Sequence, residues 1–236
     1  MAAIGDQSHE PIDRRRLIIS TASSLLILVL CLFVPAGTWA WFRGWLFLVV
    51  VVGASVVDSL YLRRANPDVV AGRVNRHERP RRWDLLLGLI GFLPTMLAIP
   101  ILAALDDGIY HWSHLPWWGS LVGYALIITG FVGLTWAMSV NKFFEPSVRI
   151  QTDRGHKVID TGPYAVVRHP GYALGYPLFL GIPLALGSLW ALVPAILLCP
   201  LIVTRTVWED RTLQAELPGY KEYAQRVRYR LVPGVW

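Results

Sequence analysis

Residues 162–172 combine an arginine, a histidine, two tyrosines, two prolines and two glycines between two long apolar regions. Glycine and proline break regular structure, so the pattern predicts a shaped turn rather than a membrane-crossing helix. In the simplest interpretation Arg168 and His169 anchor the chain to phospholipid. A histidine with a pKa near neutrality can also bind a carboxylate or shuttle a proton. A turn of this kind at the mouth of a membrane helix could hold a charged small molecule beside lipid.

A second group of ionisable residues follows the last long apolar run. Arg205 ends this run, and Glu209 and Asp210 follow one helical turn later. An Arg–Glu pair at this spacing can be an ordinary ion pair on a solvated helix face. Alternatively, the group faces back towards His169 and offers both signs of charge to a zwitterion. Ionisable residues near membrane depth are functional candidates, which keeps this second interpretation open.

Asn141 opens the polar connection that contains residues 162–172. Asparagine at a helix end commonly caps the helix, and the alternative is a polar contact that reaches into a site beneath the fourth apolar span. Cys31 and Cys199 both lie in apolar runs and are expected to be packed thiols rather than a disulfide or a metal pair. Because there is no Cys/His cluster at zinc spacing, we expect no metal site.

The composition is that of an integral membrane protein. Hydrophobic residues make up 54% of the 236 residues, and charged residues make up 16%, against about 25% in soluble domains. The apolar residues come in runs of roughly 17 to 21, the length that crosses a bilayer. The net charge of +6 does not indicate a nucleic-acid partner, because most Lys and Arg residues lie between apolar runs, where they would meet anionic lipid headgroups.

The apolar runs predict an all-α, polytopic transmembrane bundle of about six segments. The expected spans are 17–37, 45–62, 83–105, 120–140, 172–187 and 189–204. The last two are short, and we expect them to form a tight helical hairpin joined at Gly187-Ser188. Pro94 and Pro100 predict kinks in the third span. Gly119 and Gly123 give a weak small-residue packing signal around the start of the fourth span.

The two ends of the chain differ from the apolar middle. From Arg205 onwards, charged and apolar residues alternate at helical spacing, which predicts an amphipathic helix on the membrane surface. Residues 1–16 are polar and are expected to be a flexible arm, and the apolar run after them is too long for a cleaved signal peptide. The predicted division is therefore this arm, four spans at 17–140 and a region at 141–236 that contains the candidate residues.

Positive charge is distributed unevenly between the two faces of such a bundle. With six spans, both termini, residues 63–82 and residues 141–171 lie on one side, and they carry every Lys and Arg except Arg43. The positive-inside rule then predicts that both termini and the candidate residues are cytoplasmic.

The order of these residues resembles the isoprenylcysteine carboxyl methyltransferase family, which is related to the membrane phospholipid N-methyltransferases. The resemblance covers roughly residues 141–236. It consists of Asn-x-Phe after a span, Gly-Pro-Tyr-x-x-x-Arg-His-Pro-x-Tyr, a short apolar hairpin, an Arg followed by two acidic residues and Leu213, Tyr220-x-x-Tyr223 and Pro233. Residues 1–140 match only as membrane spans.

The resemblance implies a transmembrane enzyme that binds S-adenosylmethionine (SAM) in a cytosolic pocket, forms S-adenosylhomocysteine and admits a lipophilic acceptor from the membrane. The residues that it assigns to the cofactor are Gly162, Tyr164, Arg168, His169, Pro170, Tyr172, Glu209 and Asp210. Arg205 would lie near the transferred methyl group and, with Asn141, would contact the acceptor. Asp210 departs from the family pattern, because the family usually has Glu at this position.

The chemistry of the acceptor decides the catalytic roles within this resemblance. Arg205 could hold a carboxylate such as that of a prenylated cysteine. A phospholipid amine or a small lipophilic thiol needs a base, for which His169 and Glu209 are candidates. In-line methyl transfer depends chiefly on positioning and desolvation, so no covalent protein nucleophile is required. The main alternative is an NADPH-dependent membrane reductase of the sterol type, and a non-catalytic membrane scaffold is the other.

Overall fold

A computed structural model describes residues 12–75 and 81–236, and this part of the chain is helical and contains no β-strand. Its α-helices are α1 (Arg14–Ala36), α2 (Phe42–Ala65), α3 (Pro67–Val74), α4 (Arg82–Leu86), α5 (Leu93–Leu105), α6 (Trp117–Val140), α7 (Pro170–Leu186), α8 (Leu192–Glu216) and α9 (Tyr220–Arg226). Most of the predicted arm, and residues 76–80 of the basic segment at 63–82, lie outside the described residues. The predicted all-α class is confirmed.

Five helices of the described part are long and apolar enough to cross a membrane. They are α1, α2, the continuous rod Arg82–Tyr110, α6 and α8. The sixth predicted segment is α7, which has 17 residues and is also apolar. Large apolar side chains such as Leu26, Val57 and Leu121 are more than half exposed on the outside of the bundle, as expected for a surface that meets lipid.

The first span begins at Arg14 rather than at Leu17. Asp13 caps it, because the carboxylate of Asp13 accepts a hydrogen bond of 3.1 Å from the backbone N–H of Arg16. The helix ends at Gly37, which has a φ of 63° and therefore a conformation that favours glycine.

The third span contains two π-helical stretches, at Leu87–Phe92 and Asp106–Tyr110. The first precedes Pro94, where a kink was predicted. Proline has no N–H to offer the carbonyl four residues earlier, and a widened turn accommodates that missing bond. Pro100 lies inside α5. The distortion of this span therefore includes two local widenings of the helix.

Glycines allow α6 and α7 to pack closely together. A Cβ added to Gly123 would collide with the backbone of α7, and one added to Gly130 would lie 2.6 Å from the backbone nitrogen of Leu178. The predicted packing role is thus present at Gly123. Gly119 instead lies against Leu115, a residue that precedes α6. The interface between α6 and α7 therefore includes Gly123 and Gly130 but not Gly119.

The last two membrane segments form the expected hairpin, but its second helix is longer than predicted. α7 ends at Gly187, which has a φ of 86°, and the hydroxyl of Ser188 donates a 2.6 Å hydrogen bond to Asp106. α8 then continues to Glu216 without a break. The predicted start of a separate helix at Arg205 is therefore wrong, because Arg205 lies inside α8. No glycine or proline interrupts residues 201–217 to end the helix earlier.

The end of the chain packs against the protein. The apolar residues that predicted a membrane-surface helix include a buried cluster of Leu217, Tyr220, Tyr223 and Val227. Side chains of the loop between α6 and α7, among them Ile150 and Val158, cover this cluster. The tail consequently packs against this loop and is hydrogen-bonded to residues 162–172.

Candidate active site

The turn at residues 162–172 is held by backbone hydrogen bonds to the C-terminal tail. Gly162 has a φ of 57° and opens a short 3₁₀ turn, and Pro170 occupies the first turn of α7. Between them, the N–H of Arg168 donates to the carbonyl of Tyr229 and the N–H of His169 donates to that of Arg230, at 2.9 and 3.0 Å. The turn and the tail therefore form one unit.

Arg168 and Asp210, both predicted to contact the cofactor, contact each other. The Nε and Nη2 atoms of Arg168 donate to the two carboxylate oxygens of Asp210 at 2.8 and 3.0 Å. Nη1 of Arg168 donates to the backbone carbonyls of Val227 and Arg228, each at 2.9 Å. This geometry ties the turn, α8 and the tail together.

Asp210 is fully buried and accepts further hydrogen bonds. Its donors include Nε of Arg230 at 3.0 Å, the side-chain amide of Gln214 at 2.8 Å and the hydroxyl of Tyr220 at 3.2 Å. The Nε2 atom of His169 lies 3.4 Å away. With this many protein donors, Asp210 acts as the centre of a structural network, and its contact with a cofactor stays a prediction.

Glu209 is differently placed, although it is the neighbour of Asp210 on α8. Its Oε2 atom accepts a 2.7 Å hydrogen bond from the hydroxyl of Tyr172, and its Oε1 atom lies 3.7 Å from Nδ1 of His169. Burial alone would lower the pKa of His169, but hydrogen bonds and charges from Asp210 and Glu209 outweigh burial and raise it. The expected convergence of His169 and Glu209 is present in the structure.

Arg205 forms an ion pair with Asp84 instead of the possible pair with Glu209. Its Nη2 atom lies 3.0 Å from Asp84 and also donates to the carbonyl of Pro146. Its Nε atom is buried without a hydrogen-bond partner. The guanidinium lies over the rings of Phe92 and Tyr172, at 5.7 and 5.8 Å from their centroids.

Asn141 contacts the turn through Tyr164. The amide of Asn141 donates a 3.0 Å hydrogen bond to the hydroxyl of Tyr164, and its Oδ1 atom accepts one of 2.9 Å from the N–H of Phe143. The carbonyl of Tyr164 accepts a 2.7 Å hydrogen bond from the hydroxyl of Tyr223. Asn141 therefore both shapes the start of the loop and reaches towards the candidate site.

A cavity of about 350 Å³ joins these residues to the interior of the bundle, and about 300–1,000 Å³ is usual for small-molecule sites. The predicted residues in its wall are Asn141, Tyr164, Arg168, His169, Tyr172, Arg205 and Glu209. Side chains of the spans line its apolar part, namely Phe92, Met96, Phe179, Leu198 and Ile202. Gly162, Pro170 and Asp210 are not part of the wall; the first two shape the turn and the third holds it in place.

Two residues near the cavity were missed by the sequence interpretation. Asp84, in the first turn of α4, holds Arg205, and the sequence offered only an acidic residue at a helix start. His156 lines the cavity and accepts a 3.3 Å hydrogen bond from the N–H of Gln151. Burial and the charges of Arg149 and Arg154 lower its pKa to about 4.

Within the described residues, no group of three or more His, Cys, Asp or Glu side chains is arranged to hold a metal ion.

Comparison with known proteins gives a match over part of the chain. Residues 118–217 match the family model described as phospholipid methyltransferase. One relative, the protein-S-isoprenylcysteine O-methyltransferase B of Arabidopsis thaliana, is 28% identical over 119 residues, which are 47% of this chain and 58% of the relative.

Two further relatives carry names that refer to metal resistance. The nickel-cobalt-cadmium resistance protein NccN of Alcaligenes xylosoxydans xylosoxydans is 25% identical over 142 residues, covering 58% of this chain and 61% of the relative. The cobalt-zinc-cadmium resistance protein CzcN of Cupriavidus metallidurans is 29% identical over 119 residues, covering 48% and 52%.

The chain spans less than two thirds of the length of each of these relatives. Neither the family match nor the relatives support the reductase alternative. The matched region contains α6, α7 and α8, and with them the helices that hold Tyr172, Arg205 and Glu209. The predicted resemblance is therefore confirmed at low identity: residues 118–217 match the phospholipid methyltransferase family model, and the chain is similar to an isoprenylcysteine O-methyltransferase.

Proposed function

We propose that this protein transfers the methyl group of SAM to a lipophilic acceptor at the membrane. The observation that carries the proposal is the two-sided character of the cavity. His169, Arg205 and Glu209 lie in its polar part, and apolar side chains of the spans such as Met96 and Leu198 lie in the other. A polar small molecule and an apolar chain can therefore meet in one enclosed space.

The residues of the polar part fit the charges of SAM. Glu209 can accept hydrogen bonds from an ammonium group, and the donors of Arg205 suit a carboxylate. Tyr220 and Tyr223, which also line the cavity, offer ring faces to a cation or to a planar base. When bound, SAM supplies an electrophilic methyl group on a sulfonium.

The residues around that group contribute positioning and charge. The hydroxyl of Tyr172 donates a hydrogen bond to one oxygen of the Glu209 carboxylate, and the other oxygen lies 3.7 Å from Nδ1 of His169. His169 and Glu209 are both candidates for the base that an amine or thiol acceptor needs, and Arg205 is the candidate that holds a carboxylate acceptor.

The acceptor would enter from the bilayer with its apolar chain between the spans. Its reactive group could be the carboxylate of a prenylated cysteine, the amine of a phospholipid or a small lipophilic thiol. We further propose that the polar part of the cavity and both termini face the cytoplasm, because nearly all Lys and Arg residues lie on that side. The catalytic region would then be residues 141–236.

Calorimetry on the detergent-solubilised protein tests this function. We expect it to bind SAM, and we expect Glu209→Gln to weaken that binding at least tenfold, since about 1.5–3 kcal/mol is typical of a hydrogen bond to a charged group. Glu222→Gln is the matched control, because Glu222 is exposed on α9. Binding of NADPH without any binding of SAM would point to the reductase, and binding of neither would point to a scaffold.

A transfer assay then identifies the acceptor. The protein would be incubated with methyl-labelled SAM and a membrane lipid extract, and the labelled product would be separated by its sensitivity to base. An ester formed on a carboxylate releases its methyl as methanol under base, whereas an N-methyl or S-methyl product does not.

A further inference from the structure

Asp84 forms an ion pair with Arg205. In the sequence, Asp84 precedes the matched residues 118–217. It belongs to the first turn of α4 and is buried, with 6% of its surface exposed. One carboxylate oxygen lies 3.0 Å from Nη2 of Arg205, and the other accepts a 2.8 Å hydrogen bond from the backbone N–H of Val148. A carboxylate from the third span is thus joined to an arginine of α8 and to the loop after α6.

The same loop fixes Arg205 a second time. The carbonyl of Pro146 accepts from Nη2 of Arg205, so both partners engage the same nitrogen of the guanidinium. A guanidinium has five N–H donors in a rigid plane, and two contacts at one nitrogen leave the others available. The Nε atom of Arg205 is buried and has no hydrogen-bond partner, although the residue lines the cavity.

A buried N–H without a partner is costly, and the cost disappears when a ligand supplies the acceptor. The plane of the guanidinium is set by the contacts at Nη2 and by the rings of Phe92 and Tyr172 on its faces. Without Asp84, the positive charge of Arg205 would lose its opposite charge and one of the contacts that set its rotation.

We propose that Asp84 is a positioning residue, which holds Arg205 so that its unpaired donors bind an oxyanion in the cavity. This inference rests on the proposed function. The oxyanion can come from the carboxylate of the cofactor or from an acidic head of the acceptor, and these two sources share the same chemistry. Asp84 itself does not line the cavity, so it acts through Arg205.

The test compares Asp84→Asn with a matched ion-pair variant, Asp107→Asn. Asp107 lies at the other end of the same helical rod and pairs with Arg43 at 2.8 Å, so its substitution also breaks an arginine–carboxylate contact but leaves the cavity untouched. Two probes would be titrated into the purified full chain. They are SAM and N-acetyl-S-farnesylcysteine, a carboxylate with an apolar tail, whose methyl ester serves as the uncharged reference.

We expect Asp84→Asn to weaken binding of one of the two acidic probes at least tenfold, whereas binding by Asp107→Asn stays within about twofold of wild type. Weakened SAM binding assigns the oxyanion to the cofactor. If Asp84→Asn no longer prefers the farnesylcysteine acid to its ester, the oxyanion belongs to the acceptor. Unchanged binding of both probes by Asp84→Asn overturns the proposal.

The Arg205→Ala background separates positioning from a general loss of structure. If Asp84 acts through Arg205, adding Asp84→Asn to Arg205→Ala produces no further loss of binding. An equal loss in both backgrounds would show that Asp84 acts through the loop at Val148 and would overturn the proposal. Should Asp84→Asn not fold, Asp84→Ser gives the same comparison, because it removes the charge but keeps an oxygen near Val148.

The two proposals fail separately. A wild-type protein that does not bind SAM but prefers the farnesylcysteine acid to its ester, with that preference lost in Asp84→Asn, contradicts the proposed cofactor and supports the positioning role. A wild type that binds SAM while Asp84→Asn binds both probes unchanged contradicts only the role of Asp84.

Discussion

The hydroxyl of Tyr172 donates a hydrogen bond of 2.7 Å to the carboxylate of Glu209. Glu209 lines the cavity, whereas the next residue, Asp210, does not line it and forms an ion pair with Arg168. Successive positions on an α-helix are rotated by about 100°, so adjacent acidic residues point in different directions. The acidic pair is therefore divided between a residue that faces the ligand space and one that holds the site together.

Tyr172→Phe is expected to weaken SAM binding about tenfold, because it removes the donor that orients Glu209 and leaves the ring in place. Calorimetry on wild type and variant measures the change in Kd. The thermal midpoint of unfolding is expected to change little, since the ring still fills its space.

Tyr176→Phe is the matched control for that substitution. Tyr176 lies one turn further along α7, and its hydroxyl donates to the backbone carbonyl of Ala195 at 3.1 Å rather than to a carboxylate. Its loss should leave the Kd for SAM within about twofold. Equal effects of the two substitutions would show that Tyr172 contributes only packing.

Asp210→Asn is expected to destabilise the protein by about 3–5 kcal/mol, because it leaves the buried charge of Arg168 without its partner. The thermal midpoint and the rate of proteolysis after α8 would report this loss. The asparagine also places an amide N–H₂ beside Nε of Arg230, a donor that cannot accept a hydrogen bond.

Asp160→Asn provides the comparison for a surface ion pair. Asp160 contacts Arg226 at 2.9 Å, but both side chains are largely exposed, at 43% and 66%. Pairs of this type contribute about 0–1 kcal/mol. A destabilisation by Asp210→Asn as small as that of Asp160→Asn would contradict the structural role of Asp210.

The stability of the protein should depend on pH through His169 and His156 with opposite signs. The pKa of His169 is raised, because Asp210 and Glu209 outweigh the effect of burial. A raised folded-state pKa contributes stability that is complete below the unfolded value of about 6.5 and is lost as the pH rises through the folded value. The thermal midpoint of wild type should therefore fall above about pH 6.5 more steeply than that of His169→Gln.

His156 is the internal comparison for this titration. Burial and the charges of Arg149 and Arg154 lower its pKa to about 4. The folded state therefore favours neutral His156. The contribution of His156 to the stability of the fold is complete above about pH 6.5 and is lost as the pH falls towards about 4. His156→Gln should flatten the acid side of the profile and His169→Gln the alkaline side. The same slope above pH 6.5 in wild type and His169→Gln would contradict the assignment for His169.

The membrane segments and the convergence of His169 with Glu209 could be predicted from the sequence, because apolar run length and the order of polar residues carry that information. The partners of Arg168 and Arg205 could not. Asp210 was predicted to contact the cofactor and Asp84 was an ordinary acidic residue in the sequence, and only the packing of α8 against the tail and against α4 decides which arginine each one meets. The packing partner of the tail could not be predicted for a related reason, because the apolar residues of an amphipathic helix do not show whether lipid or a protein loop covers them.

Gly130→Ala tests the close packing of α6 on α7. The added Cβ would lie 2.6 Å from both the backbone nitrogen and the Cβ of Leu178, so the helices must separate, and we expect a destabilisation of about 1–3 kcal/mol. Gly53→Ala is the matched control within α2, because its Cβ would meet nothing within 4 Å, and the higher helix propensity of alanine should make it neutral or stabilising by up to about 1 kcal/mol. α7 begins at the site, so the shift should also weaken SAM binding in Gly130→Ala and leave it unchanged in Gly53→Ala. Thermal unfolding and calorimetry on both variants measure these effects, and equal stability of the two would contradict the close approach of α6 and α7.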